Sequence, residues 1–216
     1  MIDIVTINLN NRNGLKKTIE SVVNQTYKDK INYIVIDGGS TDGSVDIIKQ
    51  YEDKIDYWVS EKDNGLYNAM NKGIDVLKNE YALFLNSGDY LSSNNIIESV
   101  YNLLDKDIVY GNEYKIGNGR IMRAKYPDRL DDNFFKRTAL PHQSTFIRTS
   151  LLKDNKYSEE YKLLGDWKFF REMIIVNGAS YKHLDTFISY YGLDGVSTIN
   201  RSVHEKEKEE YYRQHR

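Results

Sequence analysis

The chain has 216 residues, 40% hydrophobic and 12% aromatic, enough for one buried core or one domain with a small appended lobe. Lys and Arg number 30 against 32 Asp and Glu, so no bulk positive field argues for a nucleic-acid partner. Cysteine is absent, which excludes disulfides, thiolate metal sites and cysteine nucleophiles and is compatible with a cytoplasmic location.

The opening Met1-Ile2-Asp3-Ile4-Val5 has no basic segment and no long apolar stretch of the kind a signal peptide needs. Ile2 to Ile7 reads instead as a buried strand, followed by a helix from Gly14 to Gln25 with Leu15, Ile19, Val22 and Val23 on one face. A second strand spans Ile31 to Ile36 and runs into the turn-rich Asp37-Gly38-Gly39-Ser40-Thr41-Asp42-Gly43. Ser44 to Tyr51 reads as a helix, Ile55 to Val59 as a strand, Gly65 to Leu77 as a helix and Tyr81 to Leu85 as a fourth strand. The apolar runs, such as Tyr81 to Leu85, are too short to span a bilayer, so a soluble or peripheral protein is expected. Repeated β–α units predict a parallel sheet with helices on both faces and ligands at the carboxyl ends of the strands.

The second half is less regular. Ser92 to Leu104 reads as a helix and Ile108 to Lys125 as a hairpin about Gly117-Asn118-Gly119. Ser144 to Ile147 reads as a strand, Asp166 to Val176 as a helix, Tyr181 to Tyr191 as one or two strands, and the tail from Arg201 as a charged helix. No repeat or low-complexity linker divides the chain. A single domain is expected, with residues 1–90 as a nucleotide-binding half, 91–200 as an acceptor half and 201–216 as a helical tail.

Three of the strand-end loops carry chemistry. In Asp37 to Ser44, glycines let backbone approach a ligand and a carboxylate can accept hydrogen bonds from a base or ribose; a tight turn with Thr41 or Asp42 capping the next helix explains the same residues. No G-x-G-x-x-G is present, so this is not a Rossmann fingerprint. Asn86-Ser87-Gly88-Asp89 follows an apolar strand and could place Asp89 on a hard divalent cation bridging phosphates, or could be an Asx-type turn. In Ser60 to Gly73, Asp63 or Asn64 could cap a helix with Lys72 solvated, or Lys72 could balance a diphosphate.

Asp37 to Ser44, Ser60 to Gly73 and Phe84 to Asp89, in this order and spacing, resemble the inverting family-2 glycosyltransferases of the GT-A fold. The similarity is closest to small bacterial enzymes that assemble surface polysaccharides. Pro141 to Phe146, Gly165-Asp166-Trp167 and Gly192 to Ser197 extend it nearly to the C-terminus. The resemblance implies an α/β GT-A domain: a mostly parallel central sheet flanked by helices, with a small acceptor-side β region.

It also implies roles. Thr6 and Leu9 fall where the family's first strand meets the nucleoside, and Asp37 matches the acid that binds the base. Asp63, Lys72 and Ser87 lie in the loops around the donor. Asp89 lies in the Asp-x-Asp region that holds Mg²⁺ or Mn²⁺ against the diphosphate, Asp166 matches the catalytic base, and His142 and Gln143 match a loop near diphosphate or acceptor. Leu9 replaces an aromatic, Gly38 a frequent second Asp, and Asn86 and Gly88 stand at the two Asp-x-Asp positions. A metal held weakly by the protein is therefore expected, with diphosphate and water supplying most ligands. Asp166 at a helix N-terminus is favoured in the ionised form a base needs, although Asp is also a preferred N-cap.

The resulting expectation is sugar transfer from a nucleotide sugar, UDP first, to a hydroxyl of a glycan or lipid-linked acceptor, with inversion. Two other readings use the same scaffold: a sugar nucleotidyltransferase, against which the missing basic, Gly-rich triphosphate loop argues, and a non-catalytic nucleotide- or sugar-binding module. The tail, with Glu205, Lys208, Glu209, Tyr211 and Tyr212, reads as a solvated helix packing its tyrosines on the domain. The same tail is the expected place of a peripheral contact with the inner face of the membrane, the home of lipid-linked acceptors. Oligomeric state is not readable.

Overall fold

In a computed structural model, residues 1–117, 119–193 and 201–214 are described, so part of the Gly192 to Ser197 motif and the centre of the Gly117-Asn118-Gly119 turn lie outside the described residues. The first half follows the β–α alternation of its sequence. Strand β1 (Ile2–Asn8), helix α1 (Arg12–Val23), β2 (Ile31–Asp37), α2 (Ser44–Gln50), β3 (Tyr57–Ser60), α3 (Leu66–Asp75) and β4 (Tyr81–Phe84) succeed one another. All residues of β1, β2 and β4 are buried, as strands covered on both faces must be. They pair in parallel in the order β3-β2-β1-β4.

The second half continues that sheet rather than building a separate one. It adds β5 (Tyr90–Leu91), α4 (Ile96–Tyr101), β6 (Ile108–Gly117), β7 (Arg120–Ala124), α5 (Asp132–Arg137), β8 (Thr145–Arg148), α6 (Thr149–Asp154), α7 (Gly165–Arg171), β9 (Tyr181–Gly192) and α8 (Arg201–Gln214). The sheet runs β3-β2-β1-β4-β8-β6-β9-β5, with β7 hydrogen-bonded to β6. Strand β8 is antiparallel to β4, so the segment entering β8 sits beside the carboxyl end of β4. The segment before β8 is thereby placed at the same end of the sheet as the loops of the first half.

Some elements differ from the sequence expectation. The helix expected over Ser92 to Leu104 is only Ile96–Tyr101, and the one expected from Asp166 turns π-helical over Glu172–Val176. Tyr181 to Gly192, expected as one or two strands, is one strand with register shifts around Asn112.

Two apolar cores lie on the faces of the sheet, because successive strand residues point to opposite sides. One joins Val5, Ile34, Ile36 and Phe84 to Tyr67, Met70, Phe135, Trp167, Phe170 and Tyr211. The other joins Ile4, Val35 and Leu83 to Leu15, Ile19, Ile48, Ile97 and Ile188. Tyr211 and Tyr212 of α8 pack edge-on against Trp167, and the Arg171 guanidinium donates to the Tyr211 hydroxyl at 2.9 Å. The tail is thus part of the first core.

Candidate active site

At the carboxyl ends of β1, β2 and β3 the polar groups organise one another first. The Asp37 carboxylate accepts from Asn8 Nδ2 (2.6 Å), Ser40 Oγ (2.6 Å), Ser40 N (2.9 Å) and Ser60 Oγ (2.6 Å). Burial alone would raise its pKa, but the bonds from Ser40, Ser60 and Asn8 hold it below the usual value. Asp42 joins Arg12 N (2.8 Å) and Ser44 N (3.0 Å), tying the loop to α1 and α2.

Two residues expected at the nucleoside, Asp37 and Thr6, are enclosed here. Asp37 has no exposed surface and its oxygens are committed, so it shapes the loop instead of offering a free carboxylate. Thr6 is also fully enclosed, its hydroxyl shared with that of Tyr33 at 2.9 Å, because position 6 points into the sheet's packed face. Leu9, one strand-end step further, is 61% exposed.

The acid missing at position 38 is returned by another loop. A Cβ placed on Gly38 would lie 2.7 Å from Asp63 Oδ2 and 3.3 Å from Leu9 Cδ1. Gly38 therefore leaves room for the Asp63 carboxylate under the exposed Leu9 side chain. Neither Asp63 nor Asn64 caps α3, whose N-cap is Gly65 with no side-chain cap bond. Lys72 Nζ holds Asp63 Oδ1 at 2.6 Å and Glu61 Oε1 at 2.9 Å. Its charge, expected to be solvated or to balance a diphosphate, is matched here by two carboxylates.

The loop after β4 is wrapped around Thr18 of α1, whose hydroxyl accepts from Gly88 N (3.0 Å) and donates to the Asp89 carbonyl (2.6 Å). Ser87 is held by main-chain atoms, its N–H on Ile7 O (3.0 Å) and its carbonyl accepting from Asn11 Nδ2 (2.9 Å). Asp89 is nearly buried, and its Oδ1 accepts from Gly192 N of β9 at 3.3 Å. Asn8 Oδ1 and Asn86 Oδ1, at the ends of neighbouring strands, are buried without a hydrogen-bond partner among the described residues. Unsatisfied buried acceptors of this kind mark positions that a ligand donor or cation can complete.

Asp166 lies in the first turn of α7, where Leu164 is the N-cap, so Asp166 is not a cap. Its Oδ1 accepts from the Tyr67 hydroxyl (2.9 Å) and Trp167 N (2.9 Å), and its Oδ2 pairs with His142 Nδ1 (3.0 Å). The far nitrogen of the same ring, His142 Nε2, meets Asn86 Nδ2 at 3.2 Å. One imidazole thus separates the Asp166 carboxylate from the loop of Asp89. Burial opposes charge on both partners, yet the pairing prevails: His142 is held above its usual pKa and Asp166 below its own. Burial and the Asp166 charge keep the Tyr67 hydroxyl protonated and donating.

Sequence reasoning missed Tyr67, Gly165 and Glu113. A Cβ on Gly165 would lie 2.8 Å from the Tyr67 ring, so this glycine lets Tyr67 reach Asp166; the small residue just before the acid was the available signal. Gln143 is buried and donates to Glu113, which also accepts from the Tyr126 hydroxyl at 2.7 Å. The amide of Gln143, the residue after His142, braces the buried Glu113 carboxylate.

Among the described residues no group of three His, Asp or Glu side chains could enclose a metal. The oxygen donors that could share a hard cation are the Asp89 carboxylate and the unpartnered Asn86 Oδ1, which suit Mg²⁺ or Mn²⁺ only if a ligand supplies the rest.

Residues 3–157 match the family model described as glycosyl transferase family 2. An uncharacterized glycosyltransferase of Mycobacterium tuberculosis is 32% identical over 182 residues, covering 81% of this chain and 69% of the relative. A PGL/p-HBAD biosynthesis glycosyltransferase of Mycobacterium bovis is 31% identical, covering 78% and 68%. Among solved structures, S. aureus TarS 1-349 in complex with UDP-GlcNAc superposes with a TM-score of 0.75 at 19% identity, over 92% of this chain and 60% of that one. The mannosyltransferase PcManGT of Pyrobaculum calidifontis, in complex with GDP-Man and Mn²⁺, gives 0.72 at 11%, over 94% and 60%. The chain therefore spans about two thirds of these curated relatives and 60% of these solved structures.

Proposed function

The chain belongs to glycosyl transferase family 2, and from that premise we propose that it moves a sugar from a nucleoside-diphosphate donor to a hydroxyl of a glycan or lipid-linked acceptor, with inversion. The observation that carries the reading is the Asp166 carboxylate, kept ionised by His142 and Tyr67 one imidazole away from the loop of Asp89. A binding module needs no such carboxylate beside its phosphate loop.

In this reading residues 1–90 hold the donor. The nucleobase or ribose lies against Leu9 and Gly38 with Asp63 as its acceptor group, while Asp37 keeps the loop in shape. The diphosphate lies by Ser87 and Asp89. A Mg²⁺ or Mn²⁺ ion shared with Asp89 and Asn86 would neutralise charge building on the leaving diphosphate. Asp166 takes the proton of the acceptor hydroxyl as its oxygen bonds to the anomeric carbon. The bond from that carbon to the diphosphate breaks, and the nucleoside diphosphate departs with the electron pair. One displacement inverts the anomeric centre. His142 acts as a positioning residue, orienting Asp166 from Nδ1.

Asp166→Asn keeps the shape and removes the base. With a UDP-sugar donor, divalent metal and acceptor, its rate of nucleoside diphosphate release should fall about 10²–10⁴-fold, with donor affinity retained in a direct binding assay. Wild-type rates in the variant would remove Asp166 from the chemistry. Donor binding without turnover by the wild type, across donors and acceptors, would favour the non-catalytic module.

A further inference from the structure

The β6–β7 hairpin carries a surface that the reaction does not use. Residues 115–125 read Lys-Ile-Gly-Asn-Gly-Arg-Ile-Met-Arg-Ala-Lys, with four cations and no acid, in a chain whose formal net charge is -2. Among the described residues strand β7 pairs only with β6 and forms an edge. On it Ile121 is 61% and Met122 47% exposed, although they are adjacent large apolar residues. Register places Ile121 opposite Ile116 on one face and Met122 opposite Lys115 on the other, so apolar groups project from both faces.

The cations divide by position. Lys125 is paired with Asp185, and Lys115 lies 3.4 Å from Glu113, both toward the root of the hairpin. Arg123 instead caps the Phe187 ring at 4.6 Å. Arg120 borders the turn and is exposed. Cations on an edge strand can serve simply to prevent pairing with another strand, but that purpose does not call for exposed Ile121 and Met122.

The hairpin is also held rigidly. Phe187 stacks on Tyr114 (4.4 Å), Tyr114 on Tyr190 (4.7 Å) and Tyr190 on Tyr90 (4.6 Å), and Lys17 caps Tyr90 at 3.7 Å. Its turn end reaches the candidate site, since Ile116, opposite Ile121, pairs with Gly192, whose N–H donates to Asp89.

We propose that the β6–β7 hairpin docks this protein on an anionic phospholipid bilayer, with Ile121 and Met122 entering the interface and Arg120 and Arg123 on the headgroup phosphates. Exposed apolar residues flanked by arginines match a surface that is negative outside and apolar beneath. The contact lies on β7 and not on the C-terminal tail, whose tyrosines are packed on Trp167. Such docking holds the Asp89 end of the cleft beside the bilayer, where a lipid-linked acceptor would present its hydroxyl. It does not depend on the proposed reaction.

The test is co-sedimentation of the whole chain with phosphatidylcholine vesicles, with and without phosphatidylglycerol. Binding is expected only with phosphatidylglycerol and should weaken with salt. Arg120→Gln with Arg123→Gln should lower the partition coefficient about 30-fold, and Ile121→Ser with Met122→Ser should also weaken binding. Unchanged melting temperatures would show that these variants fold. Equal vesicle binding by wild type and both variants would overturn the proposal, as would no wild-type binding to anionic vesicles. A wild-type dimer that Ile121→Ser with Met122→Ser makes monomeric, without vesicle binding, would assign the surface to a second copy instead. Partition needs no turnover, so this result stands apart from that of Asp166→Asn.

Discussion

At the scale of single residues, the pair formed by His142 and Asp166 makes a pH-dependent prediction. The folded protein binds the His142 proton more tightly than the unfolded chain does, so this group adds stability below its reference value of 6.5, lost as pH rises through the raised folded value. Asp166 binds its proton less tightly when folded. Its contribution is present above 3.8 and lost as pH falls through the lowered folded value. The two overlap between pH 3.8 and 6.5. The melting-temperature gap between wild type and His142→Gln should therefore be widest there and narrow toward alkaline pH. A gap independent of pH would mean that the pair is not ionised as described. At the same scale, Asp37 spends its oxygens on four hydrogen bonds, whereas Asp63, paired with Lys72 through Oδ1, fills the space that Gly38 leaves open.

At the scale of elements, the C-terminal helix connects to the segment before Asp166. Glu207 of α8 accepts from Lys162 N (2.7 Å) and Leu163 N (3.0 Å), just before α7 begins. Lys208 lies over the Trp167 ring at 4.9 Å, and burial brings its pKa down to about 8. Tyr211 is nearly fully buried against Trp167. Tyr211→Ala should cost about 3 kcal/mol by loss of buried aromatic volume, measured by denaturant unfolding. It should lower the rate more than the donor affinity, because α8 braces the Asp166 side and not the nucleotide loops. A variant as stable as wild type would show that α8 is not part of the core. The charged pattern of Glu205 to Glu210 announced a helix, but its apolar contacts come from two adjacent tyrosines whose partner, Trp167, is distant in sequence.

At the scale of the whole molecule, the sheet decides what meets. Parallel β3-β2-β1-β4 aligns three loops, and antiparallel β8 brings His142 against Asn86 beside them. If the loops form the donor site, a UDP-sugar with Mg²⁺ or Mn²⁺ should stabilise the fold by about 2.7 kcal/mol at a concentration 100 times its dissociation constant. A thermal-shift panel checks this, and Asp89→Ala should remove the metal-dependent part of the shift. An unchanged shift in that variant would separate Asp89 from metal and diphosphate. No helix among the described residues is long and apolar enough to cross a membrane, which leaves peripheral docking through β7 to the vesicle experiment.

Much of this was legible in the sequence because local rules governed it. The apolar residues of β1, β2 and β4 announced buried strands, whereas the burial of Asp3, Asn8, Asn32 and Asp37 among them did not show in the sequence. The loops after β2 and β4 are visible as glycines and acids following apolar segments. Asp166 stood out by the Gly165-Asp166-Trp167 pattern. The burial of Thr6 and Gln143 was not legible, because sequence proximity to a loop does not say which way a side chain points. What the sequence by itself determined is the alternation of strands and helices and the family to which it belongs, since periodicity and turn chemistry act over a few residues. Only the tertiary structure decided which groups remain available. Asp37 is consumed within its loop, Lys72 is neutralised by Asp63 and Glu61, and Asp166 is joined to His142 and Tyr67 from elements 24 and 99 residues away. Hydrogen-bond satisfaction depends on distance in space, and pairing across the sheet sets that distance.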